Sequence, residues 1–447
     1  MFDQLEKYIV QPMMRISEGK FVRAITAAGI STVAFTIVGS MFLVFSVLPQ
    51  VFPVLAPLWA TTLDRIQPLC LIAYNASIGV IALYFLIVTT YEYASIVADE
   101  EQLDLSPVTA VGMAIFCVFM LMVEFAYQDG WFVVVNDAAT GVLNGYRSDS
   151  GGLADLAASG IFTSFAISFF VVNVYKVCVK RDIAIHMPGS VPPGVTRAFA
   201  ALIPNTIIAF TCMLVDGALA VAGTNVYALV AIPFGFVVHI VNTLPGLLLI
   251  YLLVHVLWLF GIHGANIISS WLTAISVANM ATNLSGQTCA VYAGEIQNAF
   301  ITLGGSGCTL GLCILMCFAA KSEQLKLLGR SALVPGLFNI NEPLLFGMPF
   351  VFNPRMAVPF ILAPLATTTL TYLGISSGLV SPIIASMPWP TPPGLGAFIS
   401  CGGDWHAAAL AIVNVLVATA IYYPFFKAYD ARLAAEESAA TAEKPAA

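Results

Sequence analysis

The side chains best placed to do chemistry fall in the second half of the chain. Phe338-Asn339-Ile340-Asn341-Glu342-Pro343-Leu344-Leu345-Phe346-Gly347 sets a carboxylate directly before a proline within an apolar stretch of membrane depth. Pro343 removes a backbone donor and disfavours helix at Glu342. Broken backbone and an ionisable group at that depth are tolerated only where protein or a water-filled cavity satisfies them. No basic residue nearby in the sequence offers Glu342 an obvious partner. The motif therefore reads as a functional site, with a structural ion pair as the plainer alternative. Asn339 and Asn341 bring further donors and acceptors to the same place.

Leu257-Trp258-Leu259-Phe260-Gly261-Ile262-His263-Gly264 ends a long apolar run with a histidine between glycines. There the backbone can break and expose polar groups, so a structural and a functional histidine fit equally well. His239 and His255 have plainer surroundings and receive no role. Gly304-Gly305-Ser306-Gly307 lacks the Gly-Lys-Ser/Thr ending of a phosphate loop. It reads instead as a tight break between membrane helices, with exposed backbone amides facing a cavity. Pro388-Trp389-Pro390-Thr391-Pro392-Pro393 cannot form regular helix. Trp389 on this rigid backbone suits stacking on the apolar face of a sugar ring, or anchoring at the membrane interface. Asp404 reads as the N-cap of the run that follows it. The cysteines are scattered through apolar segments without the spacing or neighbours of a metal site. No metal and no cofactor are expected.

Long apolar helices must hold these residues. Of 447 residues, 59% are apolar and 9% are charged, and the mean hydropathy is +0.91. A soluble domain carries roughly 25% charged residues, so a soluble enzyme is excluded. A helix that crosses the bilayer needs about 20 apolar residues. Such runs lie near residues 25–48, 69–90, 107–126, 157–178, 198–220, 244–262, 301–320 and 407–426. More apolar sequence at 224–242, 266–281 and 332–386 is interrupted by Pro, Gly and Asn and suggests broken or re-entrant segments. The fold class is all-α, a polytopic helical bundle in the membrane. Basic clusters at Lys7, Arg15, Lys20 and Arg23, at Lys176, Lys180 and Arg181, at Lys321, Lys326 and Arg330, and at Lys427 and Arg432 set the orientation. The positive-inside rule places all of them, and both termini, in the cytoplasm. The first 23 residues are too mixed, and the run after them too long, for a signal peptide. The Ala- and Glu-rich end, residues 431–447, is expected to be a disordered cytoplasmic tail. The net charge of −7 suggests no nucleic-acid partner.

Taken in order, Gly-Ile-His263-Gly, the 304–307 glycine cluster, Asn339-Ile-Asn341-Glu342-Pro343, Asn353-Pro354 and the Trp389-to-Trp405 stretch resemble a known family. It is the IIC permease of the bacterial phosphoenolpyruvate-dependent sugar phosphotransferase system, lactose/cellobiose (diacetylchitobiose) type. The likeness covers most of the chain. It departs at His406, where such sequences usually carry arginine, and at Pro390, where threonine is common. The resemblance implies about ten transmembrane helices with re-entrant hairpins, an inner-membrane location and a homodimer. It implies a dimerising domain over 1–222 and a sugar-binding transport domain over 223–430. A β-linked disaccharide would enter from outside and cross by an elevator-like motion; on residue chemistry alone, broken helices and a buried carboxylate suit an ion-coupled secondary sugar transporter equally well. Its 6-hydroxyl would then receive a phosphoryl group from a phosphocysteine on IIB, which IIA recharges. Because the sequence carries no soluble appendage, IIA and IIB are expected as separate proteins. By the same resemblance Glu342 and His263 lie close to the reactive hydroxyl, and Trp258 and Trp389 lie near the sugar; Asn341, Thr391 and Ser306 are further candidates for binding it.

Overall fold

Backbone in hydrocarbon must satisfy its own hydrogen bonds, so long apolar runs fold as helix. The computed structural model describes residues 11–12, 15, 18–51, 57, 60, 65–149, 152–188, 191–260, 263–286, 288–348 and 354–442. Among these, six helical stretches are long and apolar enough to cross a membrane: Lys20–Leu43, Gln67–Glu101, Ala158–Lys180, Gly194–Val221, Met356–Ser376 and Trp405–Ala439. A broken pair, Val226–Val241 and Leu244–Leu259, makes a seventh candidate. The chain is an integral membrane protein with several spans. It divides into two compact units, one of residues 12–39 and 71–238, the other of residues 1–11, 40–70 and 239–447.

The first unit is built on residues 20–39 of α1 (Lys20–Val51), residues 71–77 of α2 (Gln67–Ser77), α3 (Ile81–Glu101), α4 (Pro107–Leu121), α5 (Ile161–Lys180), α6 (Pro193–Ala200) and α7 (Leu202–Val221). Leu86, Val97, Met113, Val118, Val172 and Ile208 are in its core. Hydroxyls tie α3 to α5: Thr90 Oγ1 donates to Ser168 Oγ at 2.8 Å, and Ser164 Oγ donates to the Ala82 carbonyl at 3.0 Å. At one end, Glu101 gathers Lys20 at 3.0 Å, Lys176 at 2.6 Å and Lys180 at 2.5 Å. The first two basic clusters of the sequence thus share one carboxylate.

Sequence hydropathy suggests a span near 107–126, but α4 stops at Leu121 and two small antiparallel sheets follow. In the first, β1 (Phe125–Gln128) pairs with β2 (Trp131–Val134), Phe125 opposite Val134. In the second, β3 (Val142–Leu143) and β5 (Gly152–Leu153) flank β4 (Tyr146–Asp149). The turns are Asp129-Gly130 and Asn144-Gly145, all four residues at positive φ. Asp-Gly and Asn-Gly are the pairs that a two-residue hairpin turn favours.

The second unit holds α9 (Leu244–Leu259), α10 (Gly264–Leu284), α11 (Leu310–Ala319), α12 (Glu323–Leu337), α13 (Glu342–Gly347), α14 (Pro354–Ser376), α15 (Leu395–Ser400) and α16 (Trp405–Ala442), with α8 (Val226–Val241) leading into it. The run near 301–320 is helical only from Leu310 onward. Before it come a π-turn, Gln297–Ile301, and a loop in which Gly304, Gly305, Gly307 and Cys308 all have positive φ.

Buried polar side chains stand in for the missing helical bonds. Asn283 Nδ2 donates to the Ala290 and Ile383 carbonyls, and Asn279 Nδ2 donates to the Tyr292 carbonyl. Thr367 Oγ1 donates to the Ile301 carbonyl, and Asn414 Nδ2 to the Phe300 carbonyl. Each removes the cost of an unpaired buried acceptor, about 1–3 kcal/mol.

The end of the chain corrects one expectation. Residues 431–442 continue α16 as helix, where composition suggests a disordered tail. Two carboxylates on that helix hold the start of α12. Asp430 accepts from the Lys321 and Ser322 amides at 2.8 and 2.9 Å. Glu437 accepts from the Ser322 hydroxyl and from the Glu323 and Gln324 amides. Tertiary capping outweighs a weak local signal here. Asp430→Ala should lower stability by about 1–2 kcal/mol, the usual loss for an N-cap. Thermal unfolding in detergent measures it, and an unchanged midpoint would mean that water replaces the carboxylate at no cost.

Candidate functional site

The site is assembled by two asparagines. Asn339 follows α12 at φ +61°, a left-handed conformation that asparagine tolerates. Its Oδ1 accepts from the Gly304 amide at 2.8 Å. Its Nδ2 donates to the carbonyls of Trp389 at 2.9 Å and Thr391 at 3.1 Å. One buried side chain thus joins the glycine loop to the proline-rich segment. Asn341 Nδ2 donates to the Ser306 carbonyl at 2.6 Å and to Thr309 Oγ1 at 2.9 Å. Thr309 Oγ1 in turn donates to the Gly304 carbonyl at 2.8 Å. Gly305 has to be glycine: it sits at φ +93°, and a Cβ there would run into the Asn341 side chain.

Asn341 precedes Glu342, so the same clamp sets the backbone that bears the carboxylate. Glu342 is the first residue of α13, with Pro343 beside it in the first turn. Proline fits there because a first-turn amide has no partner in the helix. The Glu342 side chain lies outside those described.

Trp258 comes from α9. It is 7% exposed, and its Nε1 is buried without a hydrogen-bond partner among the described residues. A buried donor left alone is costly unless a ligand or water uses it. His263 lies against the Trp258 ring, centroids 4.5 Å apart and planes tilted by 51°. Ser306 is 8% exposed, and no residue accepts from its amide or its hydroxyl among the described residues. Thr391 is half-buried and donates its hydroxyl to the Pro388 carbonyl at 2.6 Å. The Trp389 ring is half exposed, an arrangement open to both stacking and anchoring.

Asn341, Ser306, Trp389 and Thr391 therefore meet around Asn339, while Trp258 and His263 form a neighbouring pair. His255 joins the two groups. Its ring is fully buried in α9, one turn before Trp258, and it hydrogen-bonds the Gly307 amide at 2.9 Å. The sequence reading gave His255 no role, because its neighbours in the chain are apolar and its partner lies in a distant loop.

A second omission is Glu295, half-buried just before the π-turn. It accepts from Asn298 Nδ2 at 3.0 Å. Asp404 behaves as expected of an N-cap, accepting from the His406 amide at 2.8 Å and also from the Ser381 amide at 2.8 Å. Burial pushes its carboxyl upward, but the bonds from Ser381 and His406 outweigh that and hold it below the usual range. An apolar groove of about 630 Å³, lined by Leu248, Leu252, Leu362, Leu365 and Ile421, lies elsewhere in this unit. Its lining offers a polar solute almost nothing to bond.

Known proteins resemble the chain over nearly its whole length. Residues 27–364 match the family model described as phosphotransferase system, EIIC. The lichenan permease IIC component of Bacillus subtilis (strain 168) is 31% identical, across 97% of this chain and 94% of its own length. The cellobiose-specific EIIC component from Geobacillus stearothermophilus is also 31% identical, across 97% of this chain and 95% of its own. Among solved structures, the transporter ChbC superposes with a TM-score of 0.83 at 29% identity, covering 97% of this chain and 99% of that one. ChbC is the IIC component from the N,N'-diacetylchitobiose-specific phosphotransferase system.

Two glycine substitutions test the clamp. Gly378→Ala meets only backbone strain, since φ is +76° and nothing lies within 4 Å of a Cβ there; it should cost about 1–2 kcal/mol. Gly305→Ala should cost about 1–3 kcal/mol more, because it also overpacks the Asn341 side chain. Chemical unfolding in detergent compares them. Equal losses would show that Asn341 yields freely and does not hold the loop.

Proposed function

The chain belongs to the EIIC family of the phosphotransferase system, and we propose that it binds a β-linked disaccharide at the asparagine-clamped site and presents it for phosphorylation. The substrate class is that of cellobiose, diacetylchitobiose or lactose, in keeping with what the relatives are named for. The observation that carries this reading is the clamp itself. Asn339 and Asn341 draw together the backbone before Glu342, the Ser306 loop and the Trp389–Thr391 segment. Around it stand donors without partners among the described residues, Trp258 Nε1 and the Ser306 amide and hydroxyl. Sugar recognition needs aromatic faces beside donors and acceptors that water does not already occupy. This site supplies both.

In the proposed reaction the sugar 6-oxygen attacks the phosphorus of a phosphocysteine on a separate IIB protein. The new O–P bond forms as the S–P bond breaks, the IIB thiolate leaves, and Glu342 takes the hydroxyl proton. His263 hydrogen-bonds the same hydroxyl or steadies the carboxylate. Phosphoryl transfer asks mainly for positioning and charge stabilisation, and a base within hydrogen-bond reach adds to these. Trp258 and Trp389 hold the apolar faces of the sugar, with Asn341, Thr391 and Ser306 at its hydroxyls. The sugar-binding part of the second unit carries its cargo inward as a body, and IIB docks on the cytoplasmic side. The ion cluster of Lys20, Lys176 and Lys180 on Glu101 supports an orientation with both of those basic segments on one side.

Glu342→Gln keeps the shape and an acceptor oxygen while removing the charge and the basicity. Single-turnover transfer from phosphorylated IIB to bound sugar should fall about 10²–10⁴-fold in this variant. Sugar binding should fall less. Run in sealed vesicles, the parent should use IIB added to the cytoplasmic face alone and accumulate phosphorylated sugar without an ion gradient. Undiminished transfer in a folded Gln variant would remove Glu342 as the base. Uptake that needs an ion gradient and no IIB would remove the phosphotransfer reading.

A further inference from the structure

The glycine loop contains a peptide group that ought to turn freely, and it is held at both ends. Glycines at positions 304, 305 and 307 permit many backbone conformations at little cost, so the loop alone does not fix where the amide and hydroxyl of Ser306 stand. The Ser306–Gly307 peptide is nevertheless pinned. Its carbonyl oxygen accepts from Asn341 Nδ2 at 2.6 Å, and its N–H donates to His255 Nε2 at 2.9 Å. The next carbonyl, of Gly307, accepts from the Tyr422 hydroxyl at 2.9 Å. The Phe360 ring fills the place a Cβ on Gly307 would need and lies edge-on to the His255 ring, centroids 5.3 Å apart.

The partners of His255 determine its proton. The Tyr251 carbonyl, 2.6 Å from Nδ1, can only accept. The Gly307 amide, at Nε2, can only donate. The ring must therefore be neutral, with its hydrogen on Nδ1 and a lone pair on Nε2. An imidazolium, or the other tautomer, would set N–H against N–H inside a fully buried site.

We propose that His255 is a positioning residue for the sugar site. As the Nδ1–H tautomer it prevents the Ser306–Gly307 peptide from flipping, and so fixes the donors of Ser306 against the Trp258 side of the site. This rests on the disaccharide reading above. His255 touches no substrate; it acts through the loop. Because it lies one turn before Trp258 on α9, it also sets the register between that tryptophan and the segment bearing Glu342.

Two near-isosteric substitutions separate the ring nitrogens. His255→Gln places an amide oxygen near the position of Nε2 and keeps the Gly307 bond. His255→Asn keeps a donor near Nδ1 for Tyr251 and leaves Gly307 without an acceptor. Binding of cellobiose, N,N'-diacetylchitobiose and lactose is measured alongside the thermal midpoint. His255→Asn should weaken binding about tenfold, the effect of leaving a buried amide unpaired, while His255→Gln stays near the parent. Equal weakening in both variants, in step with their thermal midpoints, would reduce His255 to ordinary packing and overturn the proposal. Nitrogen-15 spectra of histidine-labelled parent protein provide an arm that needs no variant. They should show one neutral ring protonated at Nδ1, and an Nε2–H or charged ring at position 255 would overturn the proposal equally. A parent that binds none of the three sugars would contradict the functional reading, and the spectra would still decide the state of His255.

Discussion

Interrupted backbone in a membrane must find hydrogen-bond partners within the protein, and the second unit is organised around that requirement. Between Leu284 and Leu310 the described residues form no α-helix, only a π-turn and irregular backbone. Lipid offers its amides and carbonyls nothing. The partners are Asn279, Asn283, Thr367 and Asn414, each reaching from a regular helix to a carbonyl of the interrupted chain. Asn339 and Asn341, between α12 and α13, serve the glycine loop: Asn339 Oδ1 accepts from the Gly304 amide and Asn341 Nδ2 donates to the Ser306 carbonyl. An amide side chain is suited to this work because it offers donor and acceptor together without carrying charge. In the proposed reading the sugar site follows from that economy: among the described residues the donors of Trp258 Nε1 and Ser306 are left over for a ligand.

Much of this was legible in the sequence. The carboxylate before Pro343, flanked by asparagines in apolar surroundings, marked the central motif, because each of those residue types is costly at membrane depth unless used. The glycine cluster read correctly as a break before a membrane helix. Asp404 read correctly as a cap. Most of the apolar runs returned as helices near the expected positions, since period and length are local properties.

What was not legible depended on contacts distant in the chain. His255 sits in an apolar helix with no flanking signal, and its partner Gly307 is 52 residues away. The helical course of residues 431–442 is accompanied by bonds from Asp430 and Glu437 to the start of α12, more than 100 residues earlier. No composition rule could anticipate that. The hairpins after α4 are a different case. Asp129-Gly130 and Asn144-Gly145 are strong local turn signals, but the apolar run leading into them has the hydropathy of a continuing span. The lesson is specific to membrane chains: apolar length identifies spans well and says little about where a span stops.

The central claim is that leftover donors beside the asparagine clamp recognise a disaccharide. A structure of this chain with cellobiose, N,N'-diacetylchitobiose or lactose bound tests it most directly. The account predicts sugar oxygens about 2.7–3.2 Å from Trp258 Nε1 and from the Ser306 amide or hydroxyl, with the 6-hydroxyl facing the start of α13. Sugar bound elsewhere, with Trp258 Nε1 and Ser306 still unpartnered, would contradict it.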